Sequence, residues 1–73
     1  MHLKIHTLEG TKFEGDASQV SLPTKEGEIT ILPHHISLIT ILTKGLVKTP
    51  NQNIEIKGGV AEIDGEKVVV LAH

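Results

Sequence analysis

The chain has 73 residues, with 7 Lys and Arg against 9 Asp and Glu for a formal charge of −2, and it has no cysteine. That length holds one small domain and no second, while the missing thiols exclude disulfides and Cys-based zinc or iron–sulfur centres and fit a reducing cytoplasm. Charges scattered singly, with Phe13 the one aromatic residue, argue against nucleic acid, and no apolar run approaches the roughly 18–20 residues that cross a bilayer.

Ile, Val and Thr supply 22 of the 73 residues, and branched side chains suit a pleated surface better than a helix. Gly and Pro cut the chain into short runs, none of which keeps an apolar stripe of helical period. The N-terminus alternates, with Leu3 and Ile5 on one face and His2, Lys4 and His6 on the other, where a signal peptide would be continuously apolar. Glu9-Gly10 reads as the turn that closes this strand.

Val20 and Leu22 alternate with Gln19 and Ser21 up to Pro23, which is expected to end the strand. After the mixed-charge turn Lys25-Glu26-Gly27-Glu28, Ile29 and Ile31 alternate before Pro33. Ile36 to Leu42 is apolar on both faces, with Ile36, Leu38 and Leu42 on one and Ile39 and Ile41 on the other. Only one face of a sandwich strand meets the core, so the second needs a folded-back loop or a partner protein to cover it. Ile54 and Ile56 form a further alternating strand ahead of Gly58-Gly59, a pair that suits a bulge or a close backbone approach. Asp64-Gly65 is the best hairpin signal, joining Val60–Ile63 to Lys67–Ala72, in which Val68, Val69, Val70 and Leu71 are again apolar on both faces. About 7–10 short strands with turns at this spacing predict an all-β fold, a small antiparallel β-sandwich or flattened barrel over residues 1–73. A core this small rarely leaves more than about 3–5 kcal/mol of net stability, which makes burial against a partner a second source of it.

The five histidines do not assemble a metal site. His34 and His35 are neighbours that point to opposite faces of an extended segment, and His2 and His6 lie about 13 Å apart along a strand. No nucleophile elbow, phosphate loop or paired acid and base motif appears, so no catalytic residue and no cofactor are expected.

Leu22-Pro23-Thr24-Lys25-Glu26-Gly27-Glu28-Ile29-Thr30-Ile31-Leu32-Pro33-His34-His35-Ile36-Ser37-Leu38-Ile39-Thr40-Ile41-Leu42 is similar to the signature of the epsilon subunit family of F-type ATP synthases, approximately L-P-x-x-x-G-x-x-x-I-L-P-G-H-x-P-L-x-T-x-L. The opening stretch Leu3 to Gly15 resembles the first strand and hairpin of that family, and Gly58 to Ile63 with Val70-Leu71-Ala72 resembles the closing one. The resemblance spans essentially the whole chain and implies a non-catalytic rotor subunit of the central stalk, packed on a gamma subunit and resting on the membrane ring of c subunits. In a bacterium it would be a peripheral component at the cytoplasmic face of the inner membrane, passing on torque from proton flow to ATP synthesis. By the same resemblance Lys25, Glu26, Gly27 and Glu28 face the c ring, and His34, His35, Ile36, Leu38 and Leu42 face gamma.

Three departures accompany the match. His34 stands where the family has Gly, so a positive φ there would be strained. Ser37 replaces a Pro, which loosens the start of the following strand. Longer members continue past the equivalent of His73 into a two-helix domain credited with inhibiting ATP hydrolysis and, in some, with binding nucleotide; the 73 residues are expected to do neither. His35, after Pro33 and beside an apolar strand, is expected to have its ring partly packed at the domain edge. The alternative to the rotor subunit is a free-standing β-sandwich module that binds a protein or ligand, with an edge strand such as Ile54–Lys57 adding a peptide.

Overall fold

Alternate branched side chains produce nine strands and no helix: β1 (His2–Thr7), β2 (Gly10–Asp16), β3 (Val20–Thr24), β4 (Gly27–Ile31), β5 (His35–Leu42), β6 (Gly45–Lys48), β7 (Asn53–Ile56), β8 (Gly59–Gly65) and β9 (Lys67–Ala72). The computed structural model describes the backbone of residues 1–73 and every side chain except those of His35 and Ile36. The strands form one curled sheet in the order β2-β1-β9-β8-β5-β3-β6-β7, with β4 added on β3. The two ends of this sheet cover one another. Leu3, Ile5, Ala61, Ile63, Val68 and Val70 from β1, β8 and β9 share one core with Val20, Leu22, Ile31, Val47 and Ile56 from β3, β4, β6 and β7, which is the two-layer β-sandwich expected.

One pair departs from the antiparallel pattern. β1 runs parallel to β9, with Leu3 opposite Val68 and Ile5 opposite Val70. A parallel pair needs a long connection, and here the whole domain lies between the two strands. Pro23 does not end its strand either, because β3 continues to Thr24. A proline lacks the N–H for a ladder but keeps its carbonyl, and the oxygen of Pro23 accepts a 2.9 Å bond from Thr43 N where β3 passes from β6 to β5.

Three hairpins share one threonine design: in the β6–β7 turn the Thr49 hydroxyl accepts from Asn51 N at 3.3 Å and donates to Gln52 O at 3.1 Å, and the other two close on glycine. In Thr7-Leu8-Glu9-Gly10 the Thr7 hydroxyl accepts from Glu9 N at 3.1 Å and donates to Gly10 O at 3.1 Å. In Thr24-Lys25-Glu26-Gly27 the Thr24 hydroxyl accepts from Glu26 N at 3.2 Å and donates to Gly27 O at 2.6 Å. The residues at the tips are therefore Leu8-Glu9 and Lys25-Glu26, and each glycine opens the return strand at positive φ. A short side-chain oxygen that satisfies the turn's own backbone is what favours Thr there. Both glycine-closed turns project from the same rim, since Ala72, Gly59, Leu42 and Thr24 are successive partners across the sheet between them.

The hairpin signal at Asp64-Gly65 is displaced by one residue. Asp64 pairs with Lys67, so Gly65-Glu66 form the loop, and only Gly65 has positive φ, as in a type II′ turn. Gly59 is the close backbone approach, because a Cβ there would overlap the carbonyl oxygen of Leu71.

Candidate docking surface

The five-strand end of the sheet, β2-β1-β9-β8-β5, turns one face to the core and the other to solvent. Successive register partners define rows across the outer face. Ile41 lies opposite Val60, Val60 opposite Leu71, Leu71 opposite His6, and His6 opposite Thr11. The next row runs Ile39, Glu62, Val69, Lys4, Glu14, and the one after it Asp64, Lys67, His2, Asp16. Ile39, Ile41, Val60 and Leu71 are 68%, 62%, 40% and 58% exposed. With half-buried Val69 they make an apolar corner on an otherwise polar face.

The rest of that face carries alternating charge. Lys4 Nζ is 3.7 Å from Glu14 Oε2, which also lies 3.3 Å from His2 Nε2, and His2 Nδ1 is 3.6 Å from Asp16 Oδ1. His6 Nδ1 is 3.1 Å from the Thr11 hydroxyl. The two ring nitrogens of His2 point to different carboxylates, and among the described residues no three His, Asp or Glu side chains converge on a metal-sized space.

The opposite layer is different. Its outward residues include an ion pair between Lys48 Nζ and Glu28 Oε2 at 2.9 Å, the Ser21–Thr30 hydroxyl pair at 3.0 Å, and Glu55 beside Leu46. Glu28 is thus already partnered within the domain, whereas Lys25 and Glu26 at the tip of the β3–β4 turn are exposed. Near the far end of the sheet His34 has φ of 67°, and its Nδ1 lies 2.7 Å from Glu66 Oε1. Ser37 Oγ donates to Asp64 Oδ1 at 3.2 Å. The β4–β5 turn is therefore tied to the β8–β9 turn at two points.

Open depressions of about 820 Å³ and 470 Å³ lie between the β1–β2 hairpin and the segment from Thr49 to Lys57. Among the described residues, Ser21 is the buried polar side chain, and it bonds to Thr30 and not into either depression. The polar side chains that line them, among them His2, Asp16 and Glu66 in the larger and Glu9, Lys12 and Glu55 in the smaller, stand at open surface.

The family model described as "ATP synthase, Delta/Epsilon chain, beta-sandwich domain" matches residues 1–73. The chain belongs to this family. Among curated relatives, it is similar to the ATP synthase epsilon chain of Campylobacter curvus (strain 525.92), with 43% identity over 99% of this chain and 60% of that one. The chain thus spans about 60% of the length of such relatives. Its fold matches a chain in the cryo-EM structure of the Tetrahymena thermophila mitochondrial ATP synthase central stalk and c-ring, with TM-score 0.79, 14% identity, and coverage of 99% of this chain and 62% of that one. A chain in the Euglena gracilis mitochondrial ATP synthase structure containing OSCP, F1 and c-ring matches with TM-score 0.79, 19% identity, and coverage of 96% and 48%.

Within this delta/epsilon fold the residues singled out from sequence separate. Lys25 and Glu26 sit together at an exposed tip, with Gly27 and Glu28 opening β4. The side chain of Leu42 is 3% exposed and belongs to the core. Leu38, on the same face of the strand, is 37% exposed at the rim. The side chains of His35 and Ile36, and with them the packing expected for His35, lie outside the described residues. The outward apolar residues of β5 are Ile39 and Ile41, joined by Val60, Val69 and Leu71. The signal for Leu71 was present in the two-sided apolar run of β9; the pairing that brings it beside Val60 is not local information.

Proposed function

We propose that this domain is a non-catalytic rotor component of an F-type ATP synthase, docking a gamma subunit onto the c ring and helping to couple proton flow to ATP synthesis. The observation that carries the reading is the apolar corner of Ile39, Ile41, Val60 and Leu71, four large side chains left in solvent on one sheet face of a very small domain. A contiguous patch of this kind on a soluble fold marks an interaction site. Epsilon chains among the curated relatives and central-stalk assemblies among the fold neighbours favour gamma as its cover.

In this reading Ile39, Ile41, Val60 and Leu71 bury against gamma, with His34, His35, Ile36 and Leu38 along the border of that contact. Leu42 acts from within, by holding β5 on the core. The rim bearing the twin turns, with Lys25 and Glu26 at one tip and the 99% exposed Leu8 at the other, faces the c ring. In a bacterium the domain then sits peripherally at the cytoplasmic face of the inner membrane, with membrane contact only through the ring. The test is binding of this domain to a gamma subunit before and after Ile41→Asp. Loss of binding with the fold retained supports the reading, and undiminished binding overturns it.

The rival, a free-standing binding module, draws on the edge of β7, which ends the sheet path. The depression of about 470 Å³ beside that edge, lined in part by Glu55, Ile56 and Lys57, has no buried polar side chain among the described residues to hold a ligand.

A further inference from the structure

The charge of this protein is unevenly placed. Glu14, Asp16, Glu62 and Asp64 share the outer face of the five-strand layer with Lys4 and Lys67, as the register rows require. Four carboxylates against two lysines leave this face at −2 with His2 and His6 neutral, and the remaining five lysines and five carboxylates of the chain cancel. The whole formal excess of −2 therefore lies on the face that also carries the apolar corner. On the opposite layer, by contrast, Glu28 is matched by Lys48 at 2.9 Å.

Both lysines are hemmed by acid. Lys4 lies beside Glu14, and Lys67 stands between Asp64 on β8 and His2 on β1, whose ring touches Glu14 and Asp16. Glu62 is flanked by Ile39 and Val69, with no cation opposite it on either side. A carboxylate between two apolar residues would be desolvated without a partner if the covering surface were apolar alone, and an unpaired buried charge is strongly unfavourable. A cation on the partner resolves this.

We infer that the outer face is a two-part dock, whose occupant is a surface with an apolar strip for Ile39, Ile41, Val60 and Leu71 and lysine or arginine side chains set to meet Glu62 and the acidic ladder beyond it. The inference rests on the reading that gamma covers this face, and it assigns that basic strip to gamma. The apolar corner supplies contact area, whereas the ladder steers approach and fixes orientation, since complementary charge acts more on association rate and register than on affinity. The acidic ladder is a feature of this chain's own charge placement.

Association of the domain with the gamma subunit is followed by stopped-flow or surface binding at about 0.01 M and about 0.1 M salt, over which the screening length falls from roughly 30 Å to roughly 10 Å. The association rate should fall steeply with salt. Glu62→Lys and Asp16→Lys should each lower it by about tenfold at low salt and flatten its salt dependence, while Glu55→Lys on the opposite layer leaves both unchanged. Should a reversal disturb the fold, Glu62→Gln and Asp16→Asn are expected to act in the same direction with smaller effect. Binding that Ile41→Asp abolishes, but that ignores salt and every charge variant, overturns the two-part dock and leaves gamma docking standing. A domain that does not bind gamma in any form removes both. If the isolated domain instead dimerises through this face, with Ile41→Asp yielding monomers, a second copy is the occupant and the inference fails.

Discussion

His34, held at φ 67°, places its Nδ1 2.7 Å from Oε1 of Glu66, so that a residue in a conformation suited to glycine ties the β4–β5 turn to the β8–β9 turn. A left-handed non-glycine residue carries about 1–2 kcal/mol of backbone strain, and an exposed side-chain contact, even a fully ionic one, returns only about 0–1 kcal/mol. His34→Gly is therefore expected to raise the stability of the domain by up to about 1 kcal/mol in urea unfolding. His34→Val should lower it, because a branched side chain tolerates that conformation least. A valine variant as stable as wild type would remove the strain argument.

Ile41 and Leu42 are neighbours in the chain and opposites in the fold. Ile41→Asp faces water and should change stability by no more than about 1 kcal/mol while weakening gamma binding at least about tenfold, as loss of a central apolar contact does. Leu42→Ala should do the reverse, lowering stability by about 2–5 kcal/mol through the cavity it leaves, and affecting binding only through the fraction unfolded. Thermal unfolding set beside gamma titration separates the two.

The twin threonine turns should respond alike. Thr7→Val and Thr24→Val each remove a hydroxyl that both donates and accepts, for an expected loss of about 1 kcal/mol apiece. Thr→Ser at either position should restore most of it. Amide exchange at Glu9 and Glu26, the residues whose N–H groups these hydroxyls accept, is the direct readout, and unchanged protection in the valine variants would contradict the assignment.

At Gly59 the obstacle to a side chain is backbone, and φ is 143°, so Gly59→Ala should lower stability by more than about 2 kcal/mol. At Gly45 the nearest atom to a new Cβ is the ring carbon Cβ of Pro23 at 2.8 Å, and Gly45→Ala should have a smaller effect, about 1 kcal/mol. Equal effects at the two positions would show that the β8–β9 approach can relax.

Lys25 and Glu26 make no ion pair within the described residues, unlike Glu28. Exchanging their charges through Lys25→Glu with Glu26→Lys should leave stability within about 0.5 kcal/mol and reduce ATP-driven proton pumping in a reconstituted synthase, if this tip meets the c ring. Glu28→Gln should leave pumping near normal. Pumping unaffected by the exchange would move the ring contact elsewhere.

Several features could be read directly along the chain. Period-two alternation at Leu3-Ile5, Val20-Leu22, Ile29-Ile31 and Ile54-Ile56 identified strands and their inward residues, because a strand's two faces are set by neighbouring residues alone. The signature from Leu22 to Leu42 pointed to the family for the same local reason. Alternation does not mark β6, because Leu46 and Val47, between Gly45 and Lys48, are too short a run, nor β2, where Phe13 is the only large apolar residue and the hairpin is implied by the family resemblance of Leu3 to Gly15 alone. Where Ile36 to Leu42 and Val68 to Leu71 are apolar on both faces, the pattern could show that one face was surplus but not which. That choice depended on register between strands far apart in the chain: Leu42 falls opposite Gly59 over the core, so Ile41 meets Val60, and Val60 meets Leu71, on the outside. Sequence by itself determined seven of the nine strands, the inward residues wherever apolar and polar side chains alternate, and the family; tertiary structure alone decided that the surplus apolar side chains and the excess negative charge share one face, because only pairing across the sheet brings residues from four separate strands to the same surface.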